Sequence, residues 1–379
     1  MKRPIRVLHV FTILNRGGAE SMVMNYYRNI DREQVQFDFL VHREEIGVFE
    51  EEIIKLGGNI YRLPAINPLS PKKYYYELNQ FLDLHPYKII HSHINTFSFY
   101  PLKGARNRNI PLRIAHAHTT TQSLTASFML SRPTEALKVL FKGLNKYAVK
   151  KQATHLFSCG KKAGDWLFGN TPYTIIPNAI DVSKYVYSQE RDLVGRKQFN
   201  LENQFVVGHI GNFTHPKNYP FMLQVFKKIK DLHSNSKLVL VGGGPMEAEV
   251  KALAQSLDIF DDILFLGIRK DIPDILQMMD VFIFPSHYEG LPVTLIEAQA
   301  AGLKILASNT ISEEVAVTDD ITFLALTEPD ELWAYQILRG FPYVRQDNSE
   351  QLKRKGYDVA TSAQSLEQFY LNNYSEHER

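Results

Sequence analysis

Short apolar runs bounded by turn-forming residues alternate along this chain with longer amphipathic stretches. That alternation predicts βαβ units, since a strand covered on both faces reads as a short continuous apolar run and its crossover helix as a longer periodic one. In the first half the runs fall at Arg6–Phe11, Phe37–Val41, Asn59–Arg62, Ile89–His91, Leu112–Ala117, His155–Phe157 and Tyr173–Ile176. The second half repeats the scheme at Phe205–Ile210, Lys237–Val241, Ile263–Leu266, Val281–Phe284, Lys304–Ala307 and Thr322–Ala325. Each half's first strand ends in a glycine-containing turn, Gly17-Gly18 in one and Gly211 in the other. Two such halves predict two doubly wound, Rossmann-like α/β domains. The turn-rich stretch Pro177-Asn178-Ala179-Ile180-Asp181 lies near their boundary, giving domains over 1–185 and 186–361. Residues 362–379 read as a final helix, Ser362–Tyr374, able to pack back on the first domain, and a polar tail.

Composition narrows the class. A chain of 379 residues is comfortable for two domains, and 44% apolar with 22% charged residues is globular usage. One cysteine, Cys159, allows no internal disulfide and suits a reducing cytoplasm. The apolar run after the first basic residues is short and valine-containing, and Asn15-Arg16-Gly17-Gly18 follows it, so it reads as a buried strand and not a leader. No stretch approaches the roughly 20 apolar residues of a membrane span. The net charge is only +2, yet between Lys103 and Lys162 twelve Lys or Arg face one acid, Glu135. Within that span Lys138, Lys142, Lys146 and Lys150 recur every four residues, a stripe on a helix, beside Leu137, Leu140, Phe141, Leu144 and Tyr147. The apolar side suits a helix lying on the core; the basic stripe suits anionic lipid headgroups or a phosphorylated acceptor. No recognition motif for nucleic acid accompanies it.

Ligands of open α/β sheets bind beyond the carboxyl ends of the strands, so the loops there are where chemistry is expected, in a cleft shared by two facing sheets. The most specific string is Glu289-Gly290-Leu291-Pro292-Val293-Thr294-Leu295-Ile296-Glu297, preceded by Phe284-Pro285-Ser286 and followed by Ala298-Gln299-Ala300-Ala301-Gly302. A strand ends, Gly290 and Pro292 shape a loop, and a helix starts near Val293, where free backbone amides attract phosphate. Glu297 lies about one turn into that helix, placed to accept two ribose hydroxyls.

With these residues in view, the chain resembles the retaining family-four glycosyltransferases of GT-B fold, particularly bacterial exopolysaccharide and capsule members. Their mark is the Glu-x7-Glu element, here Glu289 to Glu297. The likeness also covers Gly17-Gly18-Ala19-Glu20, His116-Ala117-His118, Ser158-Cys159-Gly160, Pro177 to Asp181, Gly211 to Lys217-Asn218, and Gly242-Gly243-Gly244-Pro245. It implies two Rossmann-like domains facing across a cleft, with catalytic roles for His118, Lys217 and Glu289. Lys217 neutralises the departing diphosphate and His118 orients the transferred sugar. It implies nucleotide-sugar contacts at Gly17, Gly18, Asn212, Gly243, Ile268, Arg269, Gly290, Leu291, Pro292, Val293, Thr294 and Glu297, with the backbone of Ile268 and Arg269 reading the base. In one respect the chain departs from the family: Asn212 stands where an arginine usually follows the glycine, so one cation is missing, with Arg16 a candidate substitute. His91 and His93 form a second strand-end pair, read as acceptor-side or structural.

No Asp-x-Asp occurs and no His, Cys or acid group has the linear spacing of a metal site. The expectation is therefore a metal-independent hexosyltransferase with no cofactor. It uses a nucleotide-sugar donor, most naturally a UDP-sugar, and a lipid-linked or oligosaccharide acceptor, and acts on the inner face of the plasma membrane, with other polysaccharide-assembly proteins as further partners. Two rivals share the fold or the ligand: a UDP-sugar 2-epimerase, and a non-catalytic sugar-nucleotide-binding partner in a polysaccharide assembly complex.

Overall fold

The computed structural model of the chain describes residues 3–15, 17–118, 143 and 145–376. They divide into two compact units, Met1–Ala179 with Val359–Arg379, and Ile180–Asp358.

The first unit is built on seven strands: β1 (Ile5–Val10), β2 (Val35–Val41), β3 (Ile60–Arg62), β4 (Ile89–Ser92), β5 (Leu112–Ala117), β6 (His155–Ser158) and β7 (Thr174–Ile175). Their spatial order is β3-β2-β1-β4-β5-β6-β7, and every pairing is parallel. Side chains alternate across the sheet, so Val7, Phe37, Phe39 and Ile114 enter one core while Leu8, Leu40, Ile90 and Ala115 enter another on the opposite face. β2 is buried along its whole length although it carries Asp38. That carboxylate is kept by four donors: the Arg6 Nε at 2.6 Å and Nη2 at 2.5 Å, the Tyr87 hydroxyl at 2.6 Å and the Asn59 amide at 2.7 Å. A buried charge persists only when its lone pairs are used in this way.

The second unit holds β8 (Phe205–Ile210), β9 (Ser236–Val241), β10 (Ile263–Phe265), β11 (Val281–Phe284), β12 (Lys304–Ser308) and β13 (Ile321–Leu324). Their order, β10-β9-β8-β11-β12-β13, repeats that of the first unit, again with every pairing parallel. In each sheet the strand order reverses once, between β1 and β4 and between β8 and β11, and such switch points open a crevice at the carboxyl edge.

The second unit begins at Ile180 and ends at Asp358, where the sequence reading set its bounds at 186 and 361. Entry and exit lie side by side, Ile180 bridging Asp358 and its amide donating to the Tyr357 carbonyl at 2.9 Å. The last helix, Val359–Glu376, belongs to the first unit. Val359, Ala363, Leu366 and Tyr370 recur at helical spacing and are buried in the core that also holds Tyr26, Tyr27 and Phe37. Burying a side chain such as Val359 or Leu366 stabilises by about 1.5–3 kcal/mol, so this helix is part of the first unit's core and not an appendage.

Candidate active site

In the second unit three strand-end loops are bound to one another. The Gly211 amide donates to the Val241 carbonyl at 2.9 Å, the Gly242 amide to the Gly267 carbonyl at 2.9 Å, and the Phe213 amide to the Gly243 carbonyl at 3.0 Å. Gly242, at φ +141°, has no room for a side chain, since a Cβ there would lie 2.0 Å from the Gly211 oxygen. At Gly211 a Cβ would meet the Lys217 Cε at 3.0 Å, so the lysine stem lies across this glycine.

Lys217 ends the short turn His215–Lys217 ahead of the helix Tyr219–Leu232. Its ammonium donates to Glu289 Oε1 at 2.6 Å and lies 4.6 Å from the centre of the Phe284 ring. Both charged side chains are less than one-fifth exposed. Two residues 72 positions apart, each given a catalytic role by the resemblance, thus form one ion pair at the carboxyl edge. Asn212 is exposed beside Gly211.

From Glu289 the loop runs through Gly290, Leu291 and Pro292 into the helix Val293–Ala300, which Pro292 caps without a side-chain acceptor. The first-turn amides of Val293 and Thr294 therefore point out of the helix, with its positive end behind them. Glu297 is half-buried and accepts the Tyr185 hydroxyl at 2.7 Å. Burial raises the Glu297 carboxyl above its ordinary value, and the Tyr185 bond opposes that rise. Tyr185 was not among the residues expected from sequence; it lies 112 positions away, and only the fold joins the two. Gly243 and Ile268 are neighbours, a Cβ on the glycine falling 3.2 Å from the isoleucine. Ile268 is 71% exposed. The Arg269 guanidinium is held by Asp271, at 2.9 and 2.5 Å, which leaves its backbone and not its charge for a ligand.

In the first unit Gly17 caps the helix Gly18–Asn29, and the Glu20 carboxylate folds back over it, 2.1 Å from where a Cβ would stand. Burial raises the Glu20 carboxyl. The resemblance implies a nucleotide-sugar contact at Gly17 and Gly18, but an acid already stands at the positive end of this helix, which disfavours a diphosphate there. Gly18 has open space where a Cβ would be. Arg16, the candidate substitute cation, lies outside the described residues.

His118 closes β5 at 8% exposure. Its amide donates to Asn95 Oδ1 at 3.0 Å, and its Nε2 lies 2.9 Å from His93 Nδ1. Linear spacing had given no histidine cluster. Parallel strands supply one, bringing together His9, His91 and His93, and also His93, His116 and His118, each trio with ring nitrogens within 4.8 Å of one another. His9 escaped notice because it stands alone in sequence; the repeated His-x-His at two neighbouring strand ends was the available sign.

The lysine stripe is described only in its second half. Lys138 and Lys142 lie outside the described residues. Lys150 is not a free surface cation: its ammonium donates to the Phe168 carbonyl at 3.1 Å and Thr171 Oγ1 at 3.0 Å. Lys146 lies over the Trp166 ring at 5.3 Å. Both lysines hold their helix to its neighbour, whereas Tyr147, expected on the core side, is 73% exposed. A cavity of about 450 Å³, lined by Arg6, Asp38, Tyr61, Tyr87, Lys88 and Tyr374, lies at the opposite, amino ends of the strands and holds none of the candidate site residues.

Two parallel sheets of this order, with a Glu-x7-Glu helix start on the second, define a glycosyltransferase of GT-B fold. The chain belongs to that family: residues 16–184 match Glycosyltransferase Family 4 and residues 192–338 match Glycosyl transferases group 1. It is 34% identical to EpsF of Bacillus subtilis (strain 168), named as a glycosyltransferase, over 99% of this chain and 98% of that one. The Escherichia coli UDP-Gal:alpha-D-GlcNAc-diphosphoundecaprenol alpha-1,3-galactosyltransferase is 27% identical over 80% of this chain and 79% of its own. The structure of HepE from Anabaena in complex with UDP matches with a TM-score of 0.71 at 17% identity, over 99% of each chain, a likeness of fold. Among the described residues no helix is long and apolar enough to cross a membrane.

Proposed function

We propose that this chain moves a hexose from a UDP-sugar to a lipid-linked saccharide, with retention at the anomeric carbon, in the synthesis of an exopolysaccharide or capsule. The observation that carries this reading is the Lys217–Glu289 ion pair beside the uncapped helix start that leads to Glu297. Glu297 accepts the ribose hydroxyls. The Val293 and Thr294 amides and Lys217 take the diphosphate, whose charge grows as the sugar leaves, so stabilisation there favours the transition state over the ground state. Once Lys217 turns to the diphosphate, Glu289 is freed to hold the sugar. The Gly243 loop and the backbone of Ile268 and Arg269 border the base. His118 of the first unit orients the sugar, and the Gly17 turn receives the acceptor. The acceptor hydroxyl attacks the anomeric carbon on the leaving-group face as the bond to the diphosphate breaks, and a diphosphate oxygen takes the hydroxyl's proton. Catalysis then rests on positioning and electrostatics, with no protein nucleophile, no metal and no cofactor.

Two features of the E. coli relative's own substrates support the donor and acceptor assigned here: a UDP-linked sugar and a diphosphate-linked lipid. A lipid-borne acceptor sets the reaction at the cytoplasmic face of an anionic membrane. The test is a panel of UDP-, GDP- and ADP-sugars scored by thermal shift, followed by transfer assays with the stabilising donor, since a bound ligand raises the melting point with its occupancy. UDP-sugars should stabilise and be consumed only with acceptor present. Stabilisation by GDP- or ADP-sugars alone, or by none, overturns the donor assignment.

A further inference from the structure

Five histidines of the first unit, His9, His91, His93, His116 and His118, lie together and are all buried, yet the proposed reaction uses only the last. Burial holds every one of them well below its ordinary value, so all are neutral near pH 7. A neutral imidazole carries one N–H and one lone pair, and the contacts become a matter of counting. His9 Nδ1 lies 2.9 Å from His93 Nε2, and His93 Nδ1 lies 2.9 Å from His118 Nε2. Suppose His9 donates from Nδ1. His93 then accepts at Nε2 and keeps its proton on Nδ1, from which it donates to His118 Nε2, so His118 also has its proton on Nδ1. The reverse direction closes equally well with every proton on Nε2. No other arrangement of neutral rings fills both contacts, because His93 cannot donate twice or accept twice. Either way two atoms are left over, His9 Nε2 and His118 Nδ1. Among the ring nitrogens of this trio, those two are the ones without a partner among the described residues.

A second row runs beside the first. The Tyr370 hydroxyl meets His91 Nδ1 at 2.7 Å, and His91 Nε2 meets His116 Nδ1 at 3.1 Å. Burial keeps the Tyr370 phenol protonated, and His91 Nδ1 is its hydrogen-bond partner among the described residues, so it donates there and both histidines of this row hold their protons on Nε2. His116 stacks on His118, ring centres 4.1 Å apart.

We propose that His9 and His93 are positioning residues that lock the tautomer of His118 to their own. Its remaining nitrogen, Nδ1, is buried and without a partner among the described residues; it would meet a ligand hydroxyl with the polarity the row holds, which changes only if all three rings change together. A lone imidazole at the same place changes tautomer to suit its ligand. The use made of the lock rests on the reading of His118 as a sugar contact; the lock itself does not.

Long-range 1H–15N spectra of histidine-labelled protein at pH 7, with rings assigned by single substitutions, test this directly. His9, His93 and His118 are expected to share one tautomer, with His91 and His116 protonated on Nε2. In His93→Phe, whose ring retains the 4.5 Å stack on Phe11, His118 should lose its single-tautomer signature. His9→Phe is the second variant, releasing the same ring from the far end. Unlike tautomers within the trio of the wild type overturn the proposal, as does a His118 signature untouched in a folded His93→Phe. So does a stoichiometric metal ion in the purified protein, which His93, His116 and His118 are close enough to share. If the tautomers are locked but His118→Ala leaves the affinity ratio of UDP-glucose to UDP unchanged, the lock stands and the sugar-contact reading falls.

Discussion

Replacing Glu297 by alanine isolates the recognition of ribose from the stability of the second unit. The carboxylate is half-buried and receives one bond, from Tyr185 at 2.7 Å, which leaves its second oxygen for a ligand. A hydrogen bond to a charged group contributes about 1.5–3 kcal/mol, so UDP affinity should fall on the order of ten- to a hundredfold. Stability should move less, because two terms oppose. The variant removes a desolvated carboxylate but leaves the Tyr185 hydroxyl without its partner, at a cost of about 1–3 kcal/mol. Calorimetric titration of UDP onto wild type and variant, beside thermal melts of each, separates the two effects. The pH dependence adds a sign. Burial raises the Glu297 carboxyl, and only its ionised form accepts two hydroxyls. Affinity should therefore weaken as pH falls through that raised value, above the ordinary glutamate range, and Glu297→Gln should abolish that slope. Equal UDP affinity in wild type and Glu297→Ala, or an unchanged slope in Glu297→Gln, would refute the assignment.

Lys217→Ala should lower kcat more than it weakens UDP binding, because leaving-group charge appears only as the bond breaks; steady-state kinetics confined to a KM change would count against it. Treatment with EDTA should leave transfer by the wild type intact, and a strict metal requirement in that assay removes the metal-independent mechanism. Asn212→Arg, which adds a guanidinium beside Gly211, should raise the transfer rate if asparagine is a weakened leaving-group contact; a dead variant beside an active wild type shows a phosphate site rebuilt around asparagine. Lys150→Gln should cost stability, about 1 kcal/mol for its bonds to Phe168 and Thr171, with co-sedimentation on anionic vesicles unchanged; loss of vesicle binding at unchanged melting temperature would restore the lysine to a docking role.

All thirteen strands lie where the apolar runs predicted them, within a residue or two at their ends. That legibility has a physical cause: a parallel strand covered on both faces has no polar side, so its run of apolar residues is continuous and short. From the residues alone the candidate site was legible where they are contiguous, from Glu289 to Glu297, while Lys217 and His118 came from the resemblance. What sequence could not supply were partners brought by the fold, such as Tyr185 for Glu297 or His9 for His93. Neither pair has a fixed spacing along the chain, because strand order and not sequence distance decides which loops meet. The lysine stripe shows the same separation of face and partner. Periodicity identifies which residues share a helix face, and Lys146 and Lys150 do recur together, but it does not identify what stands opposite, here Trp166 and the end of the helix Lys161–Phe168.

The return of the helix Val359–Glu376 to the first unit bears on how the chain is made. A ribosome releases all of β1 to β7 well before Tyr370 exists, and until then Tyr26, Tyr27 and Phe37 lack one wall of their core and His91 lacks its phenol donor. The second unit, continuous from Ile180 to Asp358, has no such debt and is able to close first. The first-made half of the protein is thus the last to be completed. Nascent chains arrested before the final helix should show protease resistance over 180–358 while residues 1–179 remain open to cleavage.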